Sequence, residues 1–171
     1  MGFVLSWAAF QGVEKSGVLA RLGLTDTGEP DEALESAFSG ADFPGGWYVV
    51  VANDLEVFTD EDRLAELSND VRIVSAGVEE HVMYAAAFEF GGGEKLWSVA
   101  HSGADDLMDL ETIGDLPGAF AEVRDHWLAE QQGVVETDYI FEIPLQLASA
   151  LVGFKHDEEL PENVAFTRLA R

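Results

Sequence analysis

Two histidines at the ends of a predicted β-hairpin are the residues best placed to do chemistry in this chain. Two β-rich runs, 81–90 and 94–101, flank three glycines that supply the positive φ angles of a tight loop. The register that fits this loop places His101 opposite Met83 and diagonally from His81. Both imidazoles are therefore predicted to emerge on one face.

Carboxylates adjoin these two histidines on the neighbouring loops: Glu79, Glu80, Asp105 and Asp106. Imidazole and carboxylate groups at this spacing can ligate a divalent metal or act as acid and base. His81 and His101 are thus the candidate metal ligands of a metal-assisted hydrolase. A one-residue bulge in the hairpin would instead place the two side chains on opposite faces.

A second line of polar residues has helical spacing. Glu122, His126 and Glu130 stand four residues apart, which aligns them on one side of a helix. The line can hold a cation, but zinc sites on helices usually pair two histidines, so a solvated helix face is the preferred interpretation. The run from His156 to Glu159 is interpreted as a polar link.

Other catalytic motifs fail on their spacing. Residues 12–17 place the lysine before the second glycine, which is not the order of a phosphate-binding P-loop. The glycines at 91–93 join two strands and precede no helix. Ser102 lacks the glycine pattern of a nucleophile elbow, and the chain contains no cysteine for thiolate chemistry. No cofactor is expected.

The charge balance restricts the partners. Thirty-three acidic residues against nine lysines and arginines give a net charge of −24, which disfavours nucleic acid and anionic membrane surfaces. Residues 105–142 hold eleven acids and one base, Arg124. A basic protein is the expected partner, although acidity can also serve solubility alone. The predicted interaction surface comprises Asp105, Asp106, Asp109, Glu111, Glu122, Asp125, His126 and Glu130.

Composition predicts one folded domain over residues 1–171. Hydrophobic residues make up 47% and aromatics 11%, enough to form a core. The absence of cysteine, of a signal peptide and of an apolar run long enough to span a bilayer favours a cytoplasmic location. Gly2 and Ser6 match a myristoylation pattern, but the segment is better interpreted as a buried strand.

The elements that position the candidate residues follow from hydrophobic periodicity. Strands are predicted near 3–10, 33–38, 47–52 and 71–78, with helices over the stretch ending at Gly23 and from Thr59. Residues 25–30 are predicted as loop and 40–46 as turn. This order of elements is the split βαβ order of ferredoxin-like folds.

The C-terminal half adds two helices. One helix is predicted from Asp115 to about Gln132, and another from Pro144 to Gly153. Residues 138–144 alternate apolar and polar side chains and are interpreted as an edge strand, or as a segment that lies on a partner. A weak strand is expected at 164–169. The predicted fold class is α+β: a mainly antiparallel sheet of five to six strands, ferredoxin-like in its N-terminal half, with helices packed on it.

Four tryptophans, Trp7, Trp47, Trp97 and Trp127, each lie in an apolar segment. Core packing is the preferred interpretation, and an aromatic-lined pocket for a small ligand is the alternative.

Several short segments resemble a family of uncharacterised bacterial proteins. They are Ser6-Trp7, Thr27-Gly28-Glu29, Gly46-Trp47-Tyr48, Glu79–Met83, Trp97-Ser98-Val99, Asp138–Phe141 and Gly153–Asp157. The resemblance spans most of the chain and implies a bacterial cytoplasmic setting. It assigns no activity and no role to any residue.

The missing catalytic motifs and the charge together favour a non-enzymatic binding or regulatory protein, of which toxin-neutralising immunity proteins are one type. Its acidic face would meet a basic protein. The metal-assisted hydrolase and the small-ligand carrier stay open as alternatives. Sequence alone does not specify the oligomeric state.

Overall fold

The computed structural model describes residues 2–171 as one nine-stranded antiparallel sheet with helices on both faces. The strand order is β2-β9-β3-β4-β1-β5-β6-β7-β8. The strands are β1 Val4–Gln11, β2 Thr25–Pro30, β3 Phe38–Phe43, β4 Trp47–Ala52, β5 Arg72–Glu79, β6 Tyr84–Gly91, β7 Glu94–Ser102, β8 Glu111–Gly114 and β9 Thr167–Ala170. The helices are α1 Lys15–Leu22, α2 Glu61–Leu67, α3 Phe120–Gln131 and α4 Glu142–Val152. A 3-10 turn, Glu80–Val82, links β5 to β6.

The central strands are apolar on both faces because each face is covered. In β1, Trp7 and Ala9 face a core that includes buried side chains of α4, whereas Ala8 and Phe10 face a second core with α1 and α2. Side chains alternate along a strand, so one sequence supplies both layers. α4 packs on β5, β6 and β7, and α3 packs on α4.

The prediction of five to six strands is wrong, because nine strands form the sheet. Two of the additional strands are polar edges: β2, predicted as loop, and β8, whose four residues are all exposed. Edge strands bury little, so neither shows the alternation by which strands are recognised.

The strand predicted at 33–38 is misplaced, because β3 occupies Phe38–Phe43, most of which was predicted as turn. Residues 33–37 form a bend in which the Asp31 carboxylate accepts from the N–H groups of Glu35 and Ser36. Gly40 of β3 leaves room for the ring of Tyr48, because a Cβ there would lie 2.2 Å from the phenol oxygen.

The four strands predicted in the N-terminal half correspond to β1, β3, β4 and β5, which lie in the order β3-β4-β1-β5. In a split βαβ unit an antiparallel strand separates two parallel strands, and here β4 lies between β1 and β3 and pairs antiparallel with both. α1 and α2 cover the same face of these strands. The prediction of the fold was thus wrong in the number of strands, while the order of these four strands is the split βαβ order.

The hairpin of β6 and β7 has a different register from the predicted one. Gly91 pairs with Glu94, and a bulge beyond Phe90 shifts the rest so that Glu89 lies opposite Trp97. The Trp97 indole donates a hydrogen bond of 3.1 Å to the Glu89 carboxylate. His101 consequently lies opposite Ala85.

Helix ends agree better with the sequence than strand pairing does. Gly23 and Gly153 adopt the left-handed conformation that ends α1 and α4, with φ of 67° and 92°. α3 begins at Phe120, five residues after the expected cap at Asp115. Residues 138–141 form a turn that leads into α4, and they form no edge strand. No helix within residues 2–171 has the length and apolar character needed to cross a bilayer.

Candidate functional site

One end of the sheet gathers most of the polar side chains that could act in a site. The first residues of β1 and β6 and the last residues of β5 and β7 lie at this end. Val4 of β1 pairs with Glu79 of β5, and Tyr84 of β6 pairs with Ser102 of β7. The turn Glu80–Val82, the loop after β7 and the start of α4 cover this end. Both His101 and His156 are buried.

Protein groups occupy both ring nitrogens of His101. Nδ1 donates to the carbonyl oxygen of Asp109 at 2.5 Å, and Nε2 lies 2.6 Å from Oδ2 of Asp138. Both ring nitrogens therefore face oxygen atoms of the protein, and neither is free to bind another group. The pair is almost completely buried and joins β7 to the start of α4.

Asp138 and Gly103 complete this buried cluster. Oδ1 of Asp138 accepts from the backbone N–H of Phe141, which caps the turn before α4. A Cβ at Gly103 would lie 2.2 Å from Oδ2 of Asp138, so only glycine lets the carboxylate reach His101. The arrangement holds the chain together and leaves no free ligand atom on His101.

His81 lies in the exposed 3-10 turn, where its Nδ1 is 3.2 Å from a carboxylate oxygen of Glu79. Within residues 2–171, neither His81 nor His101 belongs to a group of three donor side chains close enough to share a metal ion. The two histidines predicted as metal ligands are therefore not brought together as a ligand set.

A different set of donors does converge. Glu80, His156 and Asp157 each offer a ligand atom, and these atoms lie within 4.8 Å of one another. Nε2 of His156 lies 3.4 Å from Oε1 of Glu80, while Oε2 of Glu80 accepts from the N–H of Phe3 at 2.9 Å. The His156 side chain is 1% exposed, and its Nδ1 has no hydrogen-bond partner in the described part of the chain.

A buried lysine lies beside this cluster. Nζ of Lys155 contacts Oδ1 of Asp157 and lies 3.1 Å from Oε2 of Glu142. Burial opposes the charge on Lys155, but its hydrogen bond to Asp157 and the negative charge of Glu142 outweigh burial and raise the pKa of Lys155. Burial lowers the pKa of His156, partly offset by Asp157, so the neutral imidazole is favoured.

An apolar groove of about 530 Å³ opens between the loop after β7 and the segment that follows α3. Val135 is 81% exposed and Met108 is 55% exposed in its lining, and Leu107 and Leu128 complete the apolar wall. A second cavity of about 410 Å³ shares Leu107 and Val135 with it and reaches Asp138. We refer to the first of these two cavities as the Val135 groove.

Hydrogen bonds of a buried glutamine and a half-buried aspartate hold the segments that form the Val135 groove. The Gln131 amide donates to the carbonyls of Val134 and Thr137, and its oxygen accepts from the N–H groups of Tyr139 and Ile140. In the opposite wall, the side chain of Asp109 accepts from the N–H of Ser102. The groove is therefore held in shape before any partner binds.

The predicted surface acids are distributed over three places. Asp105, Asp106 and Asp109 lie next in sequence to Leu107 and Met108, which line the Val135 groove, and Glu130 precedes Gln131 in the other wall. Glu111 lies on the edge strand β8. Two more acids, Glu122 and Asp125, lie on α3 together with His126. Of these, Glu122 and His126 line a shallow groove of about 420 Å³ between α3 and α4.

The tryptophans divide between core and surface. Trp7, Trp47 and Trp97 are buried in the core on the α4 side of the sheet. Trp127 lines the groove between α3 and α4 and stacks on Tyr139, with ring centroids 6.1 Å apart. The groove between α3 and α4 is thus lined by one of the four tryptophans, and the other three belong to the core.

Comparison with family models, curated proteins and solved structures finds no match for this chain. The resemblance drawn from short segments stays a prediction, and the function has to be argued from the geometry.

Sequence reasoning missed the three donor side chains that the structure brings together, Glu80, His156 and Asp157. His156 was interpreted as part of a polar link, yet the two residues before it, Phe154 and Lys155, are buried. A histidine next to a buried aromatic is the signal that could have marked it. No sequence signal joins Glu80 to residues 156–157, because 76 positions separate Glu80 from His156 and only the fold brings them together.

Proposed function

We propose that this protein binds a basic segment of another protein through the Val135 groove. The observation that carries the proposal is an open apolar groove, lined by uncharged residues, whose flanking chain segments bear carboxylates and no cation. Neither residues 103–110 nor residues 130–138 contain lysine or arginine. Both segments contain acids, of which Asp105, Asp106, Glu130 and Glu136 are exposed.

The apolar part of the groove supports a specific contact. Exposed valine and methionine side chains gain free energy when a partner side chain removes them from water. Surrounding carboxylates then attract lysine or arginine beside that side chain and speed the encounter. The preferred occupant is therefore a basic peptide segment with one or more apolar residues.

The one base near this region does not oppose such a partner. Arg124 donates to Asp125 at 2.9 Å and lies over the ring of Phe120, on α3. Its charge is thus already engaged by a neighbouring acid. The net field around the groove stays negative, consistent with the predicted basic partner and with a non-enzymatic binding role.

The test uses three synthetic peptides of matched length: one of lysine and leucine, one of lysine and serine, and one of glutamate and leucine. Fluorescence anisotropy with the full chain is expected to show binding of the lysine–leucine peptide, weakened by sodium chloride. The lysine–serine peptide should bind less tightly, and the glutamate–leucine peptide should not bind. Equal affinity for all three peptides would disprove the proposal.

A pair of variants locates the site. Val135→Lys places a cation at the groove and is expected to reduce affinity by at least about fivefold. Leu96→Lys makes the same charge change at another exposed apolar residue, on β7, and should have a small effect. If both variants weaken binding equally, only the overall charge matters and the groove is not the site.

A further inference from the structure

We infer that Glu80, His156 and Asp157 form a site for a divalent transition metal, and that zinc is the metal their donors fit best. Borderline metals such as zinc bind imidazole nitrogen together with carboxylate oxygen, whereas magnesium prefers oxygen alone. The donor set is one nitrogen and two carboxylates, brought together from the turn after β5 and the segment after α4.

The spacing of the donors fits a shared ion better than it fits a hydrogen bond. Nε2 of His156 and Oε1 of Glu80 are 3.4 Å apart, which is long for an N–H to oxygen hydrogen bond. Two ligands of a tetrahedral zinc ion, each about 2.0–2.1 Å from the metal, lie about 3.3–3.4 Å from one another. The observed Nε2–Oε1 separation matches that of two ligand atoms on one ion, and the donor atoms of the three residues all lie within 4.8 Å of one another.

The buried ring of His156 presents a nitrogen to the carboxylate of Glu80. The side chain is only 1% exposed, its Nε2 is the atom that faces Glu80, and its other ring nitrogen, Nδ1, has no partner within residues 2–171. Phe3 packs edge-on against the ring at a centroid distance of 4.8 Å, which holds the ring against Glu80.

The local charge also favours a cation. Glu80, Glu142 and Asp157 bring three carboxylates to this place, and Lys155 supplies one ammonium group. The contact of Lys155 uses Oδ1 of Asp157, so the second carboxylate oxygen can ligate a metal. Two negative charges then stay uncompensated, and a divalent ion neutralises them.

The site is open on one side, since the side chains of Glu80 and Asp157 are 26% and 38% exposed. Three protein ligands leave the fourth position of a tetrahedral ion to water. Binding ties the turn after β5 to the segment after α4. The folded chain is therefore stabilised by zinc, because the unfolded chain does not hold the three donors together.

Isothermal titration of the chelator-treated full chain with zinc chloride, in excess magnesium, tests the inference. Magnesium occupies carboxylates that bind any cation loosely. One zinc ion is expected per chain, with a zinc-dependent rise in melting temperature. No saturable zinc binding, or no thermal shift at saturating zinc, would overturn the inference.

Four variants assign the ligands. His156→Ala and Glu80→Gln should each weaken zinc binding at least tenfold. Glu80→Gln keeps an oxygen that accepts from Phe3, so it decides the matter if His156→Ala does not fold. His126→Ala and His81→Ala are the matched controls, and both should bind zinc as the unmodified chain does. Unchanged zinc affinity in Glu80→Gln, or a loss in the control variants equal to the loss in His156→Ala, would contradict the assignment.

Discussion

His101 and His156 lie at the same end of the sheet and are both buried, but their surroundings differ. Both nitrogens of His101 are bonded, one to a carbonyl and one to the Asp138 carboxylate. His156 has one long contact to Glu80 and one nitrogen without a partner in the described chain. A closed cluster holds elements in place, whereas an open cluster has capacity left for a ligand. Burial of a histidine therefore does not by itself distinguish structure from function.

Alanine at each histidine is the sharpest way to test this difference. His101→Ala leaves the buried Asp138 carboxylate unpaired, and we expect a loss of about 3–5 kcal/mol in the free energy of unfolding. His156→Ala removes a similar volume, but the carboxylates that lose a neighbour are partly exposed. We therefore expect a loss of about 1–2 kcal/mol in the free energy of unfolding. Urea unfolding of metal-free protein measures both losses. Equal losses would show that the two clusters do not differ.

Gly103→Ala tests how tightly the closed cluster is packed. The added Cβ would lie 2.2 Å from Oδ2 of Asp138, so the carboxylate must move away from His101. We expect a loss of about 1–3 kcal/mol. Gly118→Ala, where a Cβ has open space, is the matched control and should change stability little. A Gly103→Ala variant as stable as the control would argue against a tightly packed pair.

Asp26 extends the comparison to a closed cluster at the other edge of the sheet. The Lys15 ammonium at 2.5 Å, together with the Gly28 N–H and the Thr167 hydroxyl, lowers the pKa of Asp26 to about 2. The unfolded chain takes up this proton at a higher pH than the folded chain does. The resulting stability is present above pH 3.8 and is lost as pH falls towards about 2.

Asp26→Asn removes that contribution. At neutral pH we expect the variant to be less stable by about 1 kcal/mol, because Lys15 is partly exposed and solvent screens the pair. The difference from the unmodified chain should shrink between pH 4 and pH 2, as measured by urea unfolding at each pH. A difference independent of pH over this interval would mean that the carboxylate is not held ionised.

The smallest effect concerns the dispersed carboxylates, which belong to neither kind of cluster. Their mutual repulsion in the folded state is screened by salt, with a screening length of about 10 Å at 0.1 M. The melting temperature is expected to rise by a few degrees with sodium chloride. Calorimetry with chelator present keeps metal binding out of the measurement. A flat or falling curve would show that repulsion does not limit stability.

Local chemistry explains which elements could be predicted. Gly23 and Gly153 end helices because glycine adopts positive φ at little cost, and that property is visible in the sequence. Trp47 to Ala52 forms a strand because its residues favour a strand covered on both faces. Hydrophobic periodicity carries no signal for β2 and β8, which are exposed edges.

Pairing and site geometry required the tertiary structure. The pairing of Gly91 with Glu94 and the bulge beside Phe90 each shift the register by one residue, and together they place His101 opposite Ala85. Composition does not reveal either shift. Asp138 reaches His101 across 37 positions, and His156 reaches Glu80 across 76. The sequence by itself determined the charge, the helix ends and the central strands, because these depend on neighbouring residues. Only the tertiary structure decided that His101 has protein partners at both ring nitrogens and that His156 does not, because those contacts join segments distant in the sequence.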